Sequence, residues 1–169
     1  MNKDILKKVG IFTGIALFFL GLSYAFVPQV LSGKIVNQSD IVGYTNMSHE
    51  TVAWNAEHPE DPAKWTDAMF GGMPTTSFQQ YHDGDWTHPL YKLLMKAKRP
   101  ASFLFISLVG AFLLMLSLGI DVLVALIGAI AVTFCSYNLQ IIQVGHNTKM
   151  QALAFLPWEI GRASCRERV

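Results

Sequence analysis

The chain has 169 residues, of which 51% are hydrophobic and only 15% charged, with a formal net charge of +1. Its apolar residues fall into long blocks, which excludes an ordinary soluble domain. No basic stripe with interleaved aromatics occurs, which excludes a nucleic-acid partner.

In chain order, the first block is Val9 to Val27 (VGIFTGIALFFLGLSYAFV), uncharged throughout. A spanning helix needs about 20 apolar residues, so this block predicts one. Lys3, Lys7 and Lys8 precede it, whereas Pro28, Gln29, Ser32 and a single Lys34 follow. The positive-inside rule therefore predicts a cytoplasmic segment 1–8, a span over 9–31 and an outward-facing loop from 32. A cleaved signal peptide is the alternative, with Ser23-Tyr24-Ala25 as an imperfect cleavage site; its apolar core would exceed the usual length of about 7 to 15 residues. Both readings put the loop outside.

The loop runs over 32–100 and is expected to be partly helical. Ser39 and Asp40 can cap a helix in which Ile41, Tyr44 and Met47 recur at threes and Trp54 lies further along. HPEDP, His58 to Pro62, ends it. Lys64 to Phe70 (KWTDAMF) predicts a short second helix stopped by Gly71 and Gly72, with Pro74 beyond. Pro89 to Ala97 (PLYKLLMKA) predicts a helix at the membrane surface. The basic run at 96–99 conflicts with the charge rule, which long loops weaken. His82, Asp83, Asp85 and His88 fit no standard zinc or calcium spacing and read as a solvated turn. His49, Glu50 and His58 read as ordinary loop residues. The sequons at Asn37 and Asn46 matter only in a eukaryotic secretory setting.

From Ala101 to Gly145 the chain is mainly apolar and carries one charge, Asp121. This length suits two spans, 101–118 and 122–144, joined by a short inner turn at 119–121. Gly145, His146, Asn147, Thr148 and Lys149 then emerge on the same outer side as Asp40. Residues 145–159 form this second outer segment and begin a further helix. The last ten residues, IGRASCRERV (160–169), resemble a translated frame of a sequencing adapter and are set aside from fold reasoning. Without them the balance is 10 basic against 11 acidic residues, Cys135 is the single cysteine, and the chain is expected to be the N-terminal part of a longer protein.

Two constellations carry chemistry. Asp40, close to the end of the first span, could deprotonate a hydroxyl or hold a divalent cation. It could equally cap its helix. His146, Asn147 and Lys149 offer several donors at one level, suited to a phosphate. The bland alternative is that Asn147 or Gly145 only ends a helix and Lys149 snorkels. Ser136, Tyr137 and Asn138 add polarity to the outer half of the third span, as a functional group or a helix contact would.

SDIVGY (Ser39 to Tyr44), WTDAMFGGMPT (Trp65 to Thr75) and the long segment from Leu118 to Trp158, with FGGMP and GHNTKM as their most specific pieces, resemble the N-terminal part of YfhO-family bacterial membrane proteins, particularly those of Bacteroidetes. The resemblance implies an all-α, polytopic transmembrane helix bundle similar to GT-C glycosyltransferases, in the cytoplasmic membrane. It implies an outer-face site fed by a polyprenyl-phosphate-linked sugar and serving an envelope polymer acceptor. Asp40 matches the acidic position that such enzymes use as base or metal ligand; in the second role it would hold a divalent cation, and the resemblance leaves the cofactor open. His146, Asn147 and Lys149 match the second outer segment, where their chemistry suits the carrier phosphate. A non-catalytic transporter or assembly scaffold is the rival; a transporter is expected to show broken helices and polar groups at mid-membrane.

Overall fold

The computed structural model describes residues 3–34, 36–77 and 98–166, and these are mostly helical. Helix α1 (Lys3–Phe26) is followed by a single 3-10 turn at Pro28–Val30. Helix α2 (Ser39–Glu57) leads into a small antiparallel hairpin of β1 (Trp65–Thr66) and β2 (Met73–Pro74). Among the described residues a 3-10 turn at Thr75–Ser77 and four more α-helices follow: α3 (Ala101–Ser117), α4 (Val122–Thr133), α5 (Ser136–Val144) and α6 (Asn147–Arg166). The surface helix expected over Pro89 to Ala97 and the His82 to His88 turn lie outside the described residues.

Among the described residues two runs are long and apolar enough to cross a membrane, Ile5–Phe26 and Val122–Val144; Ala101–Ser117 is apolar but shorter. The most buried helix is α3, and α1, α4 and α6 pack against it. Phe19 from α1, Leu108, Ala111 and Phe112 from α3, and Ala125 and Ala129 from α4 form one core. Phe19 and Phe112 meet edge to face with ring centres 5.7 Å apart. Burying these rings and aliphatic side chains supplies the main cohesion of the three helices. A second core joins Phe103 and Leu104 of α3 to Ile141, Ile142 and Met150.

Close helix approach depends on two small residues. A β-carbon at Gly110 would lie 2.4 Å from the indole nitrogen of Trp158, and one at Gly128 would lie 2.6 Å from the sulfur of Met115. Glycine at both positions lets a large side chain of a neighbouring helix lie against the backbone. Trp158 Nε1 then donates to the Ile106 carbonyl at 3.1 Å, fixing α6 on α3. Ser107 and Thr133 exchange a buried hydroxyl bond of 3.0 Å between α3 and α4. Along α1, by contrast, Ile5, Leu6, Val9, Phe12, Leu17 and Phe18 point outward.

Two expectations need correction. The span read as one helix over 122–144 is two, interrupted at Phe134 and Cys135, where Cys135 is extended (φ −61°, ψ 147°). The break leaves carbonyls at the end of α4 without helical partners, and the Asn138 amide donates to those of Val132 and Thr133,.

The second correction concerns Lys64 to Phe70, which is not a helix. Its side chains satisfy the local backbone instead: Thr66 Oγ1 accepts from the Ala68 N–H, and Trp65 Nε1 donates to Asp67,. Phe70, Gly71 and Gly72 all take positive φ and reverse the chain so that Thr66 pairs with Met73. Thr75 closes the unit by donating through Oγ1 to the Ala63 carbonyl at 2.6 Å.

The residues from Ile160, set aside in reading the sequence, continue α6 to Arg166.

Candidate functional site

The site forms where the start of α2 meets the joint between α5 and α6. Helix α5 ends at Gly145, whose φ of +106° is open to glycine and strained for other residues,. A β-carbon there would lie 2.9 Å from Gln38 Cβ and 3.3 Å from Asp40 Cβ. Gly145 therefore serves twice, turning the chain into α6 and allowing the α2 N-terminus to sit against that turn.

Across this contact Asp40 Oδ2 lies 3.0 Å from His146 Nδ1, with both side chains about half exposed (44% and 54%). Asp40 is not the cap of α2. The N-cap position is Gln38, its side chain makes no capping bond, and Asp40 lies within the first turn. An acidic group there is favoured by the exposed N–H groups of the helix start, which leaves its oxygens available for His146.

Gln38 holds the two segments together. Its Nε2 donates to the Ile142 carbonyl and, at 3.3 Å, to Asn147 Oδ1; Asn147 Nδ2 returns a bond of 3.1 Å to Gln38 Oε1. Ser39 Oγ adds a longer contact of 3.4 Å to the Val144 carbonyl. A half-open cleft of about 290 Å³ opens beside this lattice, lined among others by Gln38, Ile41, Tyr44, Thr45, Arg99 and Asn147.

Of the residues expected at the site, Asp40, His146 and Asn147 come together. The Asn147 amide, read from sequence as a ligand donor, is engaged by Gln38. Lys149 lies over the Tyr137 ring, with Nζ 5.3 Å from the ring centre, and does not line the cleft. That contact holds the ammonium by cation–π attraction against the first turn of α5,. Asn138 is buried and spent on the helix break. Gln38, Tyr44 and Arg99 were not anticipated. Gln38 is an uncharged residue inside a sequon, and Arg99 belonged to a basic run considered only for topology.

Among the described residues no group of three or more His, Cys, Asp or Glu side chains is placed to hold a metal. Asp40 and His146 would give a cation one carboxylate and one imidazole. Hard divalent cations take about six or more oxygens, so among the described residues this pair alone does not complete a coordination shell, and no metal-dependent step is derived from it,.

No family model matches the chain, and neither a curated protein nor a solved structure does.

Proposed function

We propose that the chain belongs to a polytopic bacterial membrane glycosyltransferase of YfhO type. In this reading it transfers a sugar from a polyprenyl-phosphate donor to an envelope polymer on the outer face of the cytoplasmic membrane. The observation that supports it is the contact between Asp40 and His146, a carboxylate and an imidazole from distant parts of the chain whose sequence neighbours Ile41 and Asn147 line the cleft, though the pair itself does not.

The chemistry follows from those groups. Asp40 accepts the proton of an acceptor hydroxyl while that oxygen bonds to the anomeric carbon. The bond from the anomeric carbon to the phosphate oxygen breaks, and its electron pair leaves with the lipid phosphate. His146 orients the carboxylate through Nδ1; a ring protonated on both nitrogens would also donate to the phosphate through Nε2. Lys149, in the first turn of α6, supplies a positive charge. Asn147 serves the site through Gln38.

The test is Asp40→Asn in the complete gene product, with envelope glycans measured by mass spectrometry. The reading requires loss of one glycan species with the protein still present in the membrane. Unchanged glycans would remove Asp40 from the mechanism.

One observation favours the transporter reading instead. The Val122–Val144 run is broken near its middle, and Ser107, Thr133 and Asn138 cluster around the break. Discontinuous helices with polar groups at mid-membrane are what a transport site requires. Those three side chains bond to one another or to the broken helix itself, so they repair the interruption. A solute flux lost in Asn138→Leu but retained in Asp40→Asn would favour transport.

A further inference from the structure

We infer that Gln38 is the positioning residue of this site, setting the separation of Asp40 and His146 by locking the start of α2 onto the α5–α6 joint. The inference rests on the reading of Asp40 and His146 as the reacting pair. Three bonds converge on the Gln38 amide: one to the Ile142 carbonyl near the end of α5, and two exchanged with Asn147 at the start of α6. The anchored residue is two positions before Asp40, and its partner is one position after His146. Each member of the pair is thus held within two residues of the lock.

No other described bond of that kind joins these elements except the longer contact from Ser39 to the Val144 carbonyl. The pair itself is too exposed to hold the two segments by its own attraction,. Its geometry must come from neighbours. Gln38 alone bonds to both sides of Gly145, and its β-carbon is the atom nearest to where a Gly145 side chain would project. A shorter or apolar side chain at 38 would leave the Asn147 amide and the Ile142 carbonyl without it, and α2 free to shift.

The test uses the complete membrane protein with Cys135 and its other native cysteines replaced by Ala. Cysteines at positions 40 and 146 are bridged with a short bifunctional methanethiosulfonate, with and without Gln38→Ala. A control pair, Ser107→Cys with Thr133→Cys, is oxidised by copper phenanthroline in the same two backgrounds. Gln38→Ala should slow the 40–146 bridge at least fivefold and leave the control unchanged. An unchanged 40–146 rate would overturn the inference, and so would an equal fall in both pairs, because the loss would then be global. Envelope glycans are measured in parallel in Gln38→Ala with native Asp40 and His146. Slower bridging with normal glycans would leave Gln38 as the lock while removing the pair from catalysis.

Discussion

His146 Nδ1 lies 3.0 Å from Asp40 Oδ2, so the first loop and the end of the α4–α5 run share one surface. Exposed ion pairs contribute little to stability, about 0 to 1 kcal/mol. Asp40→Asn is therefore expected to leave the thermal unfolding midpoint of the purified protein nearly unchanged, while the proposed function requires loss of a glycan species. A large drop in the midpoint would make Asp40 a structural residue.

Gly145 carries a heavier structural demand. Its positive φ and the 2.9 Å approach to Gln38 Cβ both penalise a side chain. Gly145→Ala should cost about 1 to 3 kcal/mol from backbone strain alone. Denaturant unfolding checks the cost, and a midpoint equal to that of the parent would show that the joint can rearrange.

Between α3 and α4, Ser107 and Thr133 satisfy each other where water is excluded. Removing one hydroxyl strands the other, at about 1 to 3 kcal/mol, whereas removing both costs less than the sum. A double-mutant cycle with Ser107→Ala and Thr133→Val should therefore show coupling between the sites. Additive losses would mean that the two groups have other partners.

Asn138 closes the broken run by donating to Val132 and Thr133. Asn138→Leu leaves those carbonyls without the amide in an apolar surround, and faster hydrogen exchange is expected over residues 132–138. Exchange indistinguishable from the parent would assign the break to another cause.

Much of this architecture is legible in local chemistry. HPEDP ends α2 at Glu57 with His58 as its C-cap, and in LGID Gly119 takes a φ of +82° while Asp121 accepts the Leu123 N–H. The break at Phe134 and Cys135 was not legible, because no Gly or Pro interrupts the apolar run there. Its sole hint was the cluster of Thr133, Ser136 and Asn138, whose hydrogen bonding competes with the helix. The hairpin was missed because Phe70 adopts a left-handed conformation that a large side chain rarely takes. At the site, shared sidedness suggested that Asp40 and His146 are neighbours, but Gln38 could not be found that way. Its role depends on a carbonyl and an amide that only the folded chain brings within reach.

The central claim is that Asp40 and His146 form one site open to the outside. The most direct test places single cysteines at 40 and at 146 in the complete protein, with the native cysteines replaced, and treats intact cells with a membrane-impermeant charged maleimide. Both positions should label in intact cells, and the paired variant should bridge with a short bifunctional reagent. Labelling of either position only after the membrane is opened, or no bridge, would contradict the account.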